Sequence, residues 1–464
     1  MEEMTKNTSR IGLIALTWPI FAENILRMLL MNVDTIMLSR YSPQAVAAVG
    51  SVSQILSMMF LSYMVIATGA SLLVAQLVGA GQLHKARQAS AYALVLNLLF
   101  GIAVSLLVSI FGTHIVRFMN LPAELHADAT TFLRVLSATS FVQALLATAA
   151  AILRSHGMSK QPMVAMVVMN ILNVAGNALV LYGGLSGRIS GVLGVALSTA
   201  ISQMLVAVVM VGFVVAKIKV DLHPGRMWRS LDKGIIRSIY KVGIPSAGEN
   251  IVYQLSQFFI TCIITLLGTE ALTTRVITFN IMFLIMITSM SISQGTQIMV
   301  GHQVGAGRFE EAYRTCLRSL KIGIAISTSV AIACYLASFH ILQAYTSDAR
   351  IIEMAHLLLA ITIILEPGRV FNMVIIGSLK AAGDAKFPAV MGMLSMSLLA
   401  VGLSYLLGIK LHYGLIGIWF AFVADEWLRG IVMTFRWRSR VWQQKVLAQP
   451  EPLVAGDGAV LMES

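Results

Sequence analysis

Residues 17–40 read TWPIFAENILRMLLMNVDTIMLSR, and residues 243–262 read GIPSAGENIVYQLSQFFITC. The first stretch is apolar enough to cross a bilayer, yet it holds Glu23, Arg27 and Asp34. At about 100° per residue, Arg27 lies about 40° round a helix from Glu23, and Asp34 about 20° back from Arg27. The three charges share one stripe. Ionisable groups are expensive in lipid, so the stripe is expected to face protein or a water-filled cavity. The second stretch repeats the first: Pro19, Glu23, Asn24, Ile25 and Thr35 recur as Pro245, Glu249, Asn250, Ile251 and Thr261, each 226 positions on.

The surrounding chain is 57% hydrophobic and 12% charged over 464 residues, which excludes an ordinary soluble domain. Apolar runs of around 20 residues recur from end to end, each long enough to cross a hydrocarbon core of roughly 30 Å. They are continuous and do not alternate, so a β-barrel is excluded as well. The fold class is an all-α membrane protein with twelve spans, near 11–38, 45–77, 89–111, 125–153, 163–183, 191–216, 242–267, 271–301, 319–338, 351–379, 388–408 and 414–435. Basic residues crowd the even loops and both tails, among them Lys85, Arg87, Arg154, Lys160, Arg308, Arg314, Lys380 and Lys386. That pattern places both termini in the cytoplasm and the chain in the cytoplasmic membrane. It also explains the net charge of +12 without nucleic acid as a partner. The N-terminus has no small-residue cleavage site, so the first span is expected to be retained.

The connection 217–241 divides the chain. Beyond Pro224 and Gly225, the residues Trp228, Leu231, Ile235, Ile236 and Ile239 repeat at helical spacing with basic residues between them, which predicts a short amphipathic helix on the inner leaflet. The expected organisation is a six-helix repeat over 1–216, the linker, a second repeat over 242–435 and a tail over 436–464, of which 447–464 is expected to be disordered. The duplication extends well past the opening motif. Val78-Gly79-Ala80-Gly81 recurs as Val304-Gly305-Ala306-Gly307, and LRSHGMSKQP (153–162) as LKAAGDAKFP (379–388), all at 226. Six spans per copy is an even number, so the copies are parallel repeats. In transporters built this way the sites lie between or within the repeats.

Together these motifs resemble the multidrug and toxic compound extrusion (MATE) family, over about residues 10–435. Their carriers are the Pro-x-x-x-Glu element of the first and seventh spans, the VDTIMLS segment, the VGAG turns and the LKAAGDAKFP loop. The resemblance implies a V-shaped bundle that exports organic cations and other amphiphiles in exchange for protons or sodium ions. It also implies that Asp34, in VDTIMLS, is the central ion-coupling group of the N-terminal half, and that a carboxylate at Glu249 binds a cation. Some relatives carry Asp where this chain has Asn177 and where it has Arg369. The first departure weakens a paired-carboxylate site in the N-terminal half, and the second, a charge reversal, weakens a copied sodium site.

Read on their own terms, the charged residues separate. Asp34 has Ile260 as its repeat mate, so duplication alone does not explain it. Against the alternative of an interfacial carboxylate, it is read as the proton or cation site of an outward-opening cavity. Asn170, Asn173 and Asn177 share a face of the fifth span, and Asn173 and Asn177 are candidate polar partners of Asp34. Glu23, with Arg27 one turn on, is assigned chiefly to holding a proline-interrupted helix. Glu249 has Tyr253 at that place instead, and is expected to be the less neutralised and the more able to bind a cation. Glu366 and Arg369, flanking Pro367-Gly368, are expected to pair, as are Asp425 and Arg429. The 27 methionines are chiefly apolar filler, although they suit a cavity for varied ligands. Cys262 and Cys334 are read as small buried hydrophobes, and no disulfide framework or metal site is implied.

These features favour an antiporter of small organic cations or amphiphiles, acting as a monomer among membrane lipids, with H⁺ preferred over Na⁺ and no other cofactor. A flippase of lipid-linked oligosaccharides is the alternative; its pyrophosphate cargo would call for more unpaired cationic groups than Arg27, Arg369 and Arg429, each of which has a carboxylate nearby. Neither a hydrolase constellation nor a P-loop is present, so the chain is not expected to be an enzyme or to use ATP directly.

Overall fold

The computed structural model describes residues 12–183, 191–223, 225 and 232–448, and these residues are almost entirely helical. Among the described residues nine helices are long and apolar enough to cross a membrane, and a tenth is added if the pair Ala123–Ala138 and Ser140–Ser155, bent by 46°, is one span. Two further helices, Lys233–Thr265 and Gly414–Arg438, fill the places of the seventh and twelfth spans. In chain order the first three spans are Leu13–Ser39, Pro43–Gly79 and Leu83–Phe118, followed by the bent pair as the fourth. The fifth is Lys160–Leu181 and the sixth Gly191–Phe213, which runs into a π turn, Val214–Ile218. After the seventh come Thr269–Gly305, Phe309–Leu336 and Ala349–Ala381 as the eighth to tenth. The eleventh starts at Lys386 and passes through two π turns to Lys410.

Local chemistry sets several of these ends. Ser42 accepts a hydrogen bond from the Ala45 backbone N–H with Pro43 at the first helical position, and Asp232 and Asp348 cap the seventh and tenth spans. The VGAG turns close alike: Gly81 donates to Val78 at 3.1 Å and Gly307 to Val304 at 3.0 Å, with φ of 74° and 73°. Only glycine adopts that backbone without strain. The turns around Gly157 and Gly383 match in the same way, each glycine N–H donating at 2.9 Å, to Arg154 and to Lys380. Pro19, Pro245 and Pro367 lie inside unbroken helices, so the interruptions expected there are absent. Packed neighbours stabilise a span that has lost one backbone bond.

Packing follows the repeat. The first span lies on the fifth and the seventh on the eleventh, while the second lies on the fourth and the eighth on the tenth. Between the copies, the first span meets the eighth and the second meets the seventh. Large apolar side chains such as Leu106, Ile110, Ile171 and Val208 point outward, as helices in lipid require.

Three expectations are corrected. Ile235 and Ile239 begin the seventh span and are buried against Ile66, Ala70 and Leu73 of the second, rather than lying on a membrane surface. The part of that expected surface helix around Trp228 and Leu231 lies outside the described residues. The tail is ordered as far as Ala448, because Trp442 is fully buried and stacks on Trp437 at 4.3 Å; residues 449–464 lie outside the described residues. Cys262 is exposed and Cys334 half-buried, and only Cys316 is buried.

Candidate functional site

Asp34 sits near the C-terminal end of the first span, where the fifth and sixth spans present neutral donors. The Asn177 amide nitrogen donates to Asp34 Oδ1 at 2.7 Å and the Thr199 hydroxyl to Oδ2 at 3.1 Å. Behind them, Asn173 donates to Thr199 Oγ1 at 3.0 Å, and Asn177 reaches Asn173 Oδ1 at 3.4 Å. Asn173 and Asn177 are buried and one helical turn apart, which is why both meet the same carboxylate shell. Asn177 Oδ1 is buried with no partner among the described residues. No cation lies within ion-pair distance of Asp34 among the described residues, although its side chain is only partly exposed. Asn170, on the same face, instead ties the fifth span to the first through the Leu26 carbonyl at 3.2 Å. Thr199 was missed by sequence reasoning, since one threonine in an apolar span carries no signal of its own.

Glu23 is differently placed. Arg154 donates to both of its oxygens, at 2.8 and 2.7 Å, and Arg27 adds a third contact at 3.1 Å. Arg27 also lies over the Phe60 ring, 5.6 Å from its centroid. The carboxylate is thus doubly paired and buried. Its mate Glu249 has a single cation, Lys380, whose Nζ lies 2.6 Å from its Oε2, so it is the less neutralised of the two, though by a residue the sequence reading placed in a loop. Lys380 is the repeat mate of Arg154, so one duplicated contact joins the proline–carboxylate span to the C-terminal end of the fourth or tenth. Sequence reading placed both cations in loops, whereas each helix carries its cation inside its last turn.

The second half holds a denser network. Glu366 is fully buried and accepts from Ser327 at 2.9 Å, Ser289 at 3.2 Å and Arg369. Arg369 continues to Glu426 at 3.8 Å, and Glu426 accepts from Asn372 at 2.7 Å. Arg429 then joins Glu426 at 3.2 Å to Asp425 at 2.8 Å, and Ser395 donates to Asp425. The pairs Glu366–Arg369 and Asp425–Arg429 are those their spacing predicts. Their union into one chain between the tenth and twelfth spans follows only from the packing. Among the described residues no cluster of His, Cys, Asp and Glu is arranged to hold a metal.

A duplicated bundle of apolar helices that encloses charged groups, with one carboxylate lacking a fixed counter-charge, is the construction of a helical membrane transporter. The chain belongs to the multidrug and toxic compound extrusion (MATE) family: the MatE family model matches residues 19–179 and 245–406. An uncharacterized transporter of Bacillus subtilis, YisQ, is 43% identical over 94% of this chain and 96% of its own length. A probable multidrug resistance protein NorM of Thermotoga maritima is 24% identical over 95% and 94%. Among solved structures, a MATE protein in a bent conformation superposes with a TM-score of 0.86 at 21% identity, covering 96% of this chain and 99% of that one. Like the rest of its family, the chain is a multi-pass membrane transporter of small molecules and not an enzyme.

Proposed function

We propose that this transporter is a cation-coupled antiporter that exports organic cations, drugs or amphiphilic metabolites across the cytoplasmic membrane. The observation that carries the reading is Asp34, a carboxylate at membrane depth with amide and hydroxyl donors but no fixed cation among the described residues. A charge so placed is costly until a mobile one joins it. A coupling ion and a cationic cargo then compete for the same group, which is the elementary requirement of exchange. The coupling ion is read as H⁺. The Asn177 amide nitrogen, not its oxygen, faces Asp34, and a proton needs no further oxygens, whereas Na⁺ would need that amide to turn and several oxygen ligands to converge.

The two repeats, 1–216 and 242–435, act as lobes, the basic ends of the helices and both termini face the cytoplasm, and the chain works as a monomer. Glu249 and the Glu366–Arg369 chain serve as a second ion site, with their paired cations as internal competitors. The test is uptake of a fluorescent organic cation into inverted vesicles. Under the proposal an inward-acid pH gradient drives it and an equal Na⁺ gradient at uniform pH does not. Uptake driven by Na⁺ alone would overturn the choice of ion, and no uptake of any compound in a cation panel would overturn the cargo class.

A further inference from the structure

The two halves meet at the basic end through a duplicated brace. Gln76 of the second span donates through Nε2 to the Ala381 carbonyl at 2.5 Å, at the end of the tenth span. His302, its repeat mate on the eighth span, lies with Nε2 at 2.7 Å from the Ser155 carbonyl, at the end of the fourth. Ser155 and Ala381 are themselves repeat mates. At the same level the second and eighth spans touch backbone to backbone: a Cβ at Gly305 would overlap the Gln76 carbonyl, and one at Gly79 would overlap that of His302. This end is shut, and no cargo could pass it without the two spans parting here.

The braces differ in one respect. The remaining Gln76 atom, Oε1, accepts the backbone N–H groups of Leu447 at 2.7 Å and Ala448 at 3.1 Å. These residues end a segment that is first anchored on the second half. Arg440 pairs with Glu310 at 2.8 Å and lies over the Tyr313 ring, Trp442 is buried between Trp437 and Phe309, and the Lys445 carbonyl lies against Gly383. The chain then crosses to the first half, where Ala448 is buried with Ile66, Ala70, Leu73 and Leu77 of the second span. Gln76 is fully buried, so each of its bonds is exchanged for an unmet polar group if the tail leaves before the spans part.

We propose that residues 439–448 form a strap that locks the basic end closed through Gln76, and that the strap must detach from the second span before that end can open. The anchor at Trp442 stays on the second half while the Leu447–Ala448 end lets go, so the element is a latch and not a plug. The proposal goes beyond the antiport reading and rests only on its assumption that this end opens at some point in the cycle.

The test reads opening and needs no cargo. A cysteine replaces Ala75, which faces Gly301 across the seam, in a chain whose own three cysteines are serine. A membrane-impermeant maleimide is applied from the basic side of inverted vesicles. Two variants are compared with this parent: one lacking residues 446–464, which keeps the Trp442 anchor, and L447P, which keeps the whole tail but lacks the shorter of the two N–H bonds that Gln76 accepts. Both are expected to label about fivefold faster or more, the population change set by one lost hydrogen bond. Parental labelling rates in both would overturn the strap. If the truncated chain fails to fold, judged by its elution and melting, L447P alone decides by the same criterion. Because the readout is labelling, a chain that transports none of the tested cations can still pass or fail.

Discussion

The two halves share a backbone plan and differ in how they hold charge. In the first, Asp34 meets Asn177 and Thr199 and no cation among the described residues; in the second, its mate Ile260 is buried in an apolar cluster with Ile264, Leu365 and Trp419. The reverse holds deeper in the bundle. Glu366 is tied to Arg369 and onward to Glu426, Arg429 and Asp425, whereas its first-half mate is Ser140, held by Tyr63 at 2.7 Å and Ser105 at 2.8 Å. What remains common is the pair that joins Glu23 to Arg154 and Glu249 to Lys380. Duplication therefore supplied the scaffold and its internal struts. Among the described residues, the cation-free Asp34 belongs to one copy and the buried ion chain to the other.

That contrast can be broken on the second half. Arg369→Met removes the cation from a fully buried carboxylate, and a broken buried pair costs about 3–5 kcal/mol. The expected result is a large fall in melting temperature, while Asp34→Asn, which leaves a neutral amide among amides, should melt close to the parent. Equal melting of the two variants would erase the distinction between a structural and a functional carboxylate.

A smaller effect comes from the brace region. His156, in the turn after the fourth span, is mate to Ala382, so the second half has no counterpart to its titration. Burial, helped by the nearby His302 and Arg87 charges, lowers its pKa to about 4. Since the unfolded chain takes up that proton first, the folded state loses stability as pH falls from about 6.5 towards about 4, by up to about 3 kcal/mol. Melting curves across that window should flatten in His156→Gln, and an unchanged slope would remove His156 as its cause. The smallest expected effect is at the ion site. Thr199→Val deletes one neutral donor to Asp34, worth about 1 kcal/mol, and should shift the pH at half-maximal exchange by less than about one unit without abolishing exchange. Complete loss of exchange would make the hydroxyl indispensable, against a role that Asn177 shares.

Much of this was legible in the chain. The spans follow from apolar length, the repeat from the 226-residue offset, and the Glu366–Arg369 and Asp425–Arg429 pairs from spacings of three and four. The grouping of Asp34 with Asn173 and Asn177 needed the resemblance as well as the helical face. Contacts between distant segments were not legible. Arg154 lies 131 positions from Glu23, and positive-inside counting takes such a cation for a loop charge, although its stem lies along the last helical turn. Lys380 was misread for the same reason, so the partner of Glu249 was missed, although Glu249 does have fewer cations than Glu23. The docking of the tail beyond Arg436 was not legible, and its end was expected to be disordered. Its order comes from Trp442 filling a space between Trp437 and Phe309, and from Gln76 meeting two backbone donors, none of which leaves a periodic trace.

The account turns on Asp34 as the group where ion and cargo meet. Its most direct test is exchange in proteoliposomes containing Asp34→Asn, with gradient-driven accumulation and equilibrium counterflow of one fluorescent cation measured side by side. The account predicts that accumulation against its gradient is lost, whatever pH or Na⁺ gradient is imposed, while the folded variant remains in the membrane at parental abundance. Accumulation at the parental rate and with the parental pH dependence would contradict it.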